Sequence, residues 1–294
     1  MLPVEWQRRF RGGCALGEAL APRTSWRIGG PAELYLEPGD LEELTLTLDA
    51  LRRVGMPFRI LGGGSNLLVA DRGVPGAVLS LDRMDRVERS GDRLRVEAGA
   101  RLSSVVRRAV EEGLAGAERL AGIPGRVGGA IFGNAGGRYG AIGSLVEEIE
   151  MLRSDGVLER FRPPADFFAY RLSRVGERVV LRVLLRLEPA SREAVHALTR
   201  RIVHERRSTQ PGWVGNAGCV FKNPPGQSAG RLIDLAGLKG SACGGLHVSP
   251  THANFFQNAG GATEEDVIRL MERVQATVRR VHGVELEMEV RRWP

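Results

Sequence analysis

The chain has 294 residues, a length at which about two domains are expected. Hydrophobic residues make up 43% and charged residues 26% of the sequence, so a disordered chain is excluded. No stretch approaches the ~18 consecutive apolar residues of a membrane span, and the first thirty residues lack the apolar segment of a signal peptide. We therefore expect a cytoplasmic protein with no membrane insertion.

The net charge of +7 is compatible with nucleic acid or with a small anionic ligand. The basic residues are almost all arginines, apart from Lys222 and Lys239, and they occur singly or in pairs along the whole chain. Such spacing is typical of solvated helix faces. We expect no nucleic-acid partner, and a basic nucleic-acid-binding module remains only as an alternative.

Cys14, Cys219 and Cys243 are odd in number and far apart, and no two of them form a C-x-x-C pair. This pattern indicates neither a disulfide framework nor a zinc site. A reducing compartment fits the cysteine content best.

Residues 1–23 are polar and rich in arginine, which predicts a poorly structured N-terminal arm. Asp40 and Glu43 form a capping-box pattern, and leucines at helical spacing follow as far as Gly55, so a helix is predicted there. Short strands are predicted over 58–61, 67–70 and within 77–98, with a turn at 90–92. The next predicted helix runs from Leu102 to Gly113.

The second half alternates strands and helices. The pattern predicts a hairpin over 146–161, strands over 179–187 and 219–221, and helices over 191–207, after Ser228 and after Thr263. The chain ends in strict alternation over 284–291, which predicts a strand that buries four apolar side chains, Val284, Leu286, Met288 and Val290. Together these elements predict an α+β protein with a domain boundary near Pro189.

Glycine is unusually frequent, with 39 residues, about 13% against a typical ~7%. A first cluster at 62–64 joins two apolar runs, and it lacks both the Walker and the dinucleotide-binding spacing. A second cluster holds eight of the 19 residues from 122 to 140. We interpret these glycines as backbone loops whose N–H groups bind phosphate, and a long surface loop without that role is the alternative.

Five motifs in one order resemble the UDP-N-acetylenolpyruvoylglucosamine reductase family. They are GGGSNLL at 62–68, GIPGRVGGA at 122–130, YRLS at 170–173, NAGCVFKNP at 216–224 and EMEVR at 287–291. The resemblance covers the chain from about residue 24. The short stretch between Arg171 and Arg207 has no room for an additional substrate-covering loop, so the chain resembles the shorter, second type.

The resemblance implies a two-lobed FAD-binding fold of the vanillyl-alcohol-oxidase (PCMH) type with a C-terminal α+β substrate domain. Residues 1–23 would be the arm, 24–189 the FAD-binding domain with its lobes divided near 75, and 190–294 the substrate domain. The last strand, 284–291, would return toward the flavin. The implied enzyme is a monomer of the bacterial cytoplasm that needs no metal.

The implied reaction belongs to peptidoglycan precursor synthesis. NADPH reduces FAD, which is held without a His or Cys tether, and UDP-N-acetylglucosamine enolpyruvate is then reduced to UDP-N-acetylmuramate. A related flavin oxidase, or a paralogue with an altered substrate, is the alternative within the same fold.

The resemblance also assigns residues. The cofactor-binding positions are Gly62, Gly63, Gly64, Ser65, Asn66, Leu67, Gly122, Ile123, Pro124, Gly125, Val127, Gly128 and Gly129. The substrate-binding positions are Tyr170, Gln210, Lys222, Asn223 and His252, and the catalytic positions are Arg171, Cys219 and Glu289.

The chemistry of the catalytic positions agrees with these assignments, although each has a simpler explanation. Arg171 can hold a carboxylate with two parallel donors, but it could also be a surface arginine. Cys219 stands where the family usually has serine and could donate a proton. It could also be a small buried apolar residue. A nucleophilic role is disfavoured, because no histidine lies nearby in sequence. Glu289 would assist protonation, although a solvated face shared with Glu285 and Glu287 also explains it. His252 is as compatible with a structural role as with substrate binding.

Overall fold

A computed structural model describes residues 2–212 and 214–294. Its helices are α1 (Val4–Arg9), α2 (Leu41–Arg53), α3 (Leu102–Glu111), α4 (Val127–Phe132), α5 (Arg192–Thr209), α6 (Ala229–Leu235) and α7 (Glu264–His282). Short 3-10 helices lie at Ala21–Arg23, Ala117–Leu120 and Ile142–Leu145.

The strands in the first half are β1 (Gly13–Ala19), β2 (Pro31–Glu37), β3 (Phe58–Leu61), β4 (Leu67–Val69), β5 (Val74–Ser80), β6 (Val87–Ser90), β7 (Arg93–Glu97), β8 (Leu114–Ala115), β9 (Gly136–Gly137) and β10 (Gly140–Ala141). Those in the second half are β11 (Val146–Leu152), β12 (Leu158–Phe161), β13 (Phe168–Ala169), β14 (Leu172–Ser173), β15 (Val179–Arg186), β16 (Glu188–Pro189), β17 (Ala242–Cys243), β18 (Leu246–Val248), β19 (Phe256–Asn258) and β20 (Arg291–Trp293).

The chain forms two compact units, and each is assembled from separate stretches of sequence. The larger unit contains the N-terminal residues up to Leu16, Leu34–Gly63 and Pro75–Glu205. The smaller unit contains Gly17–Glu33, Gly64–Val74 and Arg206–Pro294. These boundaries differ from the continuous domains expected from sequence. Of the lobe expected before residue 75, residues 34–63 belong to the larger unit, whereas 24–33 and 64–74 belong to the smaller one.

The larger unit is built on an antiparallel sheet of order β12-β11-β15-β7-β6, and β3 pairs in parallel with β5. The apolar faces of α2 and α3 pack on these strands and form one core. Most of α5 also belongs to this unit, because Ile202 is buried in the same core. The expected boundary at Pro189 therefore precedes a helix that the larger unit retains.

The N-terminal arm is ordered, contrary to expectation. Leu2, Trp6 and Phe10 recur at four-residue spacing and are buried in the core of the larger unit. The Trp6 ring stacks on Phe10 with 4.6 Å between centroids. Its indole N–H donates to Thr47 Oγ1 at 3.0 Å, so α1 is fixed to α2.

The smaller unit contains α6, α7, the sheet β17-β18-β19 and the parallel pair of β4 with β20. The Thr263 side chain accepts from the backbone of Asp266, and the Asp266 carboxylate accepts from the Thr263 N–H, so the predicted start of α7 is confirmed. Ser228 caps α6 in the same way, by accepting from Arg231 N–H.

Three local predictions are wrong. Residues 219–221 form isolated bridges at Cys219 and Phe221 and not a strand. The segment 284–290 pairs only at Met288, which is 39% exposed and not buried; the C-terminal strand is β20, further along. Apolar and polar residues therefore alternate over 284–290 although no neighbouring strand pairs with this segment along its length. The glycine-rich segment 122–140 is no irregular loop, since it contains α4, β9 and β10.

Candidate active site

The two glycine motifs meet backbone to backbone within the larger unit. A Cβ atom built on Gly63 would lie 2.7 Å from the Cα of Gly125, which leaves no room for any side chain. Next to this contact the backbone faces open space. A Cβ on Gly129 would meet nothing within 4 Å, and one on Gly62 would come no closer than 3.8 Å to Gly129. This geometry fits a flat ligand or a phosphate that approaches main chain.

The second glycine motif is held in place by hydrogen bonds of its own backbone. Gly128 N–H donates to Ala98 O at 2.8 Å, and Val127 N–H donates to Ala100 O at 2.9 Å. These two N–H groups are thus used within the fold and are not free to bind phosphate. Val127 and Gly128 support the loop, and any contact of theirs with a cofactor would be through carbon or carbonyl atoms.

Arg126 also fixes this loop, and no pattern in the sequence indicated this role. Its guanidinium donates to Gly99 O at 2.9 Å and pairs with the Asp82 carboxylate. The Arg126 side chain is 13% exposed. Because the Arg126 guanidinium is largely removed from water, loss of Asp82 would leave its charge without an ion-pair partner, so the pair fixes the position of the loop.

The rest of the first motif lies in the smaller unit, next to the C-terminal segment. Gly64 O accepts from Ser25 N–H at 3.0 Å. Asn66 binds the C-terminal segment twice, since its side-chain amide donates to Glu289 O at 3.2 Å and its own carbonyl accepts from Arg291 N–H at 3.1 Å. The structure therefore brings Asn66 and Glu289 together within this unit.

Cys219 and Glu289 lie on neighbouring segments of the smaller unit. Glu289 N–H donates to Val220 O at 2.8 Å, and Cys219 is half-buried. Glu289 is also half-buried, whereas Glu285 and Glu287 are exposed. Burial thus singles out Glu289 from the three glutamates, which alternation alone could not do.

Asn254 holds the Cys219 segment in place, and sequence reasoning missed it. Its buried side-chain amide accepts from Phe221 N–H at 3.0 Å and donates to Phe221 O at 2.8 Å. Asn254 lies 33 positions from Phe221, so no short sequence motif contains both residues. The only available signal is the polarity of Asn254 within an otherwise apolar run, 253–256.

Three proposed substrate residues of this unit have different surroundings. Lys222 forms an ion pair with Glu287, and Asn223 Oδ1 accepts from Ala229 N–H at the start of α6 at 3.0 Å. Gln210 Oε1 is buried and has no hydrogen-bond partner among the described residues. A buried acceptor of this kind favours a donor from a ligand or from water.

His252 has structural contacts. Its Nδ1 accepts from Asn254 N–H at 3.2 Å, and its ring packs edge-on against Phe255 with 4.8 Å between centroids. A Cβ on Gly230 would lie 2.9 Å from the imidazole, so α6 packs closely on the ring. Burial lowers the pKa of His252, and the positive charge of Lys239 lowers it further. The hydrogen bond to Nδ1 and the close packing of Phe255 and α6 favour the structural interpretation.

Tyr170 and Arg171 form the two-residue turn between β13 and β14 in the larger unit, because Ala169 pairs with Leu172. The backbone of Arg171 is left-handed, with φ of 58°. Its guanidinium donates to Gly136 O at 2.9 Å and lies 5.5 Å from the centroid of the Tyr170 ring. Tyr170 is 57% exposed.

Among residues 2–212 and 214–294, no three His, Cys, Asp or Glu side chains converge as metal ligands would. Within the same residues, every helix is too short or too polar to span a bilayer.

The fold and two family models identify an FAD-binding oxidoreductase with a C-terminal α+β domain. A family model described as an FAD binding domain matches residues 32–162. A second one, described as the C-terminal domain of UDP-N-acetylenolpyruvoylglucosamine reductase, matches residues 210–293.

Curated relatives agree along nearly the whole chain. "UDP-N-acetylenolpyruvoylglucosamine reductase 2" of Symbiobacterium thermophilum is 44% identical over 279 residues, covering 94% of this chain and 91% of the relative. The reductase of Anaeromyxobacter dehalogenans is 45% identical over 290 residues, covering 98% and 88%. The crystal structure of the reductase (MurB) from Thermus caldophilus superposes with a TM-score of 0.83 at 38% identity, covering 97% of this chain and 99% of that chain.

The chain belongs to the UDP-N-acetylenolpyruvoylglucosamine reductase family. The fold class and the FAD-binding domain expected from sequence are confirmed, as is a reductase of peptidoglycan precursor synthesis.

The glycine contacts predict different effects of two alanine substitutions. Gly63→Ala places a methyl group against Gly125, so both the Tm of the apoprotein and FAD affinity should fall. Gly129→Ala meets only open space, and alanine favours a helix by up to about 1 kcal/mol, so the apoprotein should be no less stable. Its FAD affinity should still fall about tenfold or more. Thermal unfolding of the apoprotein measures Tm, and fluorescence titration measures FAD affinity. Wild-type FAD affinity in Gly129→Ala would show that FAD does not approach this backbone.

His252 predicts a pH dependence of stability in acid. Because its pKa is lowered in the folded chain, the unfolded chain takes up a proton first as the pH falls below about 6.5, and the folded state is destabilised. His252→Asn keeps an acceptor for Asn254 N–H but cannot titrate in this range. Its Tm should therefore fall less than that of the wild type between pH 7 and pH 5. Parallel curves of Tm against pH would contradict this account.

Proposed function

We propose that the chain reduces UDP-N-acetylglucosamine enolpyruvate to UDP-N-acetylmuramate, with NADPH as the reductant and non-covalently bound FAD as the cofactor. The observation that carries the cofactor is the contact of Gly63 with Gly125 beside the open space at Gly62 and Gly129. The substrate is supported by the names of the curated relatives. The enzyme would act as a monomer in the bacterial cytoplasm.

In this proposal the cofactor is held by the main chain of both glycine motifs. Gly62, Gly63, Gly125 and Gly129 would allow close approach because they lack side chains. The remaining residues proposed to bind the cofactor are Gly64, Ser65, Asn66, Leu67, Gly122, Ile123 and Pro124. FAD held by these residues would supply the hydride-transfer chemistry that links NADPH to the substrate.

Arg171 would bind the substrate carboxylate. The hydride goes to the methylene carbon of the enolpyruvyl group, and negative charge then develops on the carboxyl oxygens until the adjacent carbon is protonated. A guanidinium can meet both oxygens with parallel N–H donors, and it stabilises the charge that develops during the reaction. The Tyr170 ring beside the Arg171 guanidinium limits the directions in which that fork can turn.

Cys219 would donate the proton to the carbon that bears the carboxylate. A thiol has a reference pKa of ~8.5 and is mostly protonated at neutral pH, so it can act as the acid. The hydrogen bonds of Asn254 to Phe221 hold the segment that carries Cys219. Positioning of this kind is needed because a proton donor must lie within hydrogen-bond reach of the carbon it protonates.

Glu289 and three polar residues complete the proposed site. The half-buried carboxyl of Glu289 would assist protonation or bond to the developing charge. Lys222 and Asn223 would bind the diphosphate and the sugar, and Gln210 would offer its unpartnered Oε1 to a substrate donor. Lys222 would have to exchange its exposed pairing with Glu287 for a phosphate, and an exposed ion pair costs little to break.

Replacement of Cys219 should separate the two half-reactions. In Cys219→Ala, reduction of bound FAD by NADPH should keep its wild-type rate, while reoxidation by the enolpyruvyl sugar should slow by about 100-fold or more. Cys219→Ser keeps a proton-bearing group and is the matched control, which should retain more activity. Stopped-flow absorbance of the flavin resolves both steps. A colourless protein, or wild-type flavin that the sugar does not reoxidise, would refute the function, and a fast Cys219→Ala would refute only the proton donor.

Two substitutions separate the charge of Arg171 from its shape and its backbone strain. Arg171→Lys keeps the charge but loses the planar fork, and kcat/KM should fall about 100-fold. Arg171→Gly removes the left-handed penalty of about 1–2 kcal/mol but also the Gly136 bond, so the Tm should not fall while turnover is lost. Steady-state kinetics and thermal unfolding give these values. Near-normal turnover of Arg171→Lys would show that the fork is not used.

A further inference from the structure

We infer that Asn134 is a positioning residue, which fixes the turn that carries Arg171 against the segment following α4. The inference rests on the proposed function, because its consequence is measured on the substrate that Arg171 is proposed to bind. The contacts that support it all lie within the larger unit.

Asn134 uses both ends of its side-chain amide. Its Nδ2 donates to Ala169 O at 2.8 Å, and its Oδ1 accepts from Gly143 N–H at 3.0 Å. Ala169 is the last residue of β13 and stands two positions before Arg171. The amide therefore ties the base of the turn to Gly143, the second residue of the 3-10 helix Ile142–Leu145.

Two other hydrogen bonds join the same pair of segments. Ser173 Oγ donates to Phe132 O at 2.8 Å, and Arg171 itself donates to Gly136 O at 2.9 Å. Ser173 therefore fixes the outgoing strand, β14, whereas Asn134 fixes the incoming strand, β13. Without Asn134, the incoming strand would lose its side-chain bond to this segment, and the turn could rotate about the bond made by Ser173.

The packing around Asn134 leaves little freedom for another arrangement. A Cβ on Gly143 would lie 2.7 Å from Asn134 Oδ1 and 2.6 Å from the Phe168 ring. Asn134 has a left-handed backbone with φ of 43°, which asparagine, aspartate and glycine adopt more readily than other residues. Substitutions by aspartate and glycine are therefore compatible with the backbone and change only the side-chain bonds.

A small movement of the turn matters because a guanidinium fork must align with both carboxylate oxygens. A misplacement of about 1 Å can cost about 100-fold in rate when it affects a positioned group. Asn134 does not need to touch the substrate for this effect, since its contribution is the geometry of Arg171.

Two variants and one control test the inference. Asn134→Gly removes both side-chain bonds, and Asn134→Asp keeps the acceptor for Gly143 N–H but cannot donate to Ala169 O. Ser144→Ala is the control, because Ser144 bonds to Arg119 and Ala141. Each holoenzyme is photoreduced anaerobically and mixed with UDP-N-acetylglucosamine enolpyruvate, and reoxidation is followed at several substrate concentrations. Reduction of oxidised enzyme by saturating NADPH is measured separately.

We expect reoxidation to slow about tenfold or more in both Asn134 variants, with NADPH reduction within about twofold of the wild type and Ser144→Ala unchanged. In an Arg171→Ala background, Asn134→Gly should slow reoxidation less than about threefold further, because the group it positions is gone. The inference would be overturned if Asn134→Gly slowed reoxidation by the same factor with and without Arg171. It would also be overturned if Asn134→Asp were reoxidised at the wild-type rate, or if both half-reactions slowed in parallel. If the wild type itself is not reoxidised by the sugar, the proposed function fails instead.

Discussion

The proposed cofactor site depends on the close approach of Gly63 and Gly125. Their main chains are near enough to exclude a methyl group, so two motifs separated by some sixty positions in sequence form one surface of bare backbone. The carbonyls of Ala98 and Ala100 then fix the second motif from behind. These residues follow β7 and lead into α3, so the large antiparallel sheet sets where a cofactor could meet the backbone.

The elements that the sequence predicted well are those whose signal is local. The caps of α2, α6 and α7, the leucine spacing of α2 and the hairpin of β11 and β12 each lie within about twenty residues. The division into units depends on distant contacts. Trp26, for example, donates its indole N–H to Phe256 O at 2.8 Å, and Asn258 donates to Trp26 O at 2.9 Å. These bonds place residues 17–33 in the same unit as the C-terminal residues. No helical or strand periodicity in the sequence predicts them.

The same distinction explains the candidate site. The motifs indicated residues whose type suits the proposed chemistry, such as Arg171 and Cys219, because the family resemblance selected them among their alternatives. They did not show that the N–H groups of Val127 and Gly128 are used within the fold. Nor did they indicate Asn134 and Asn254, whose amides bind backbone 35 and 33 positions away. An asparagine that supports another residue has no sequence pattern apart from its partner.

The left-handed backbone of Arg171 separates what the stability of the hairpin requires from what the proposed site requires. A non-glycine residue in this conformation costs about 1–2 kcal/mol, and glycine would avoid that cost. The fold retains arginine there and surrounds the turn with bonds from Asn134, Ser173 and Arg171 itself. Stability alone would favour the smaller residue and would not need so many bonds to a short hairpin, 168–173. In the proposed function, the strain and its compensation would serve to aim one guanidinium, and the demand of function would then fall on the turn and not on the sheet beneath it.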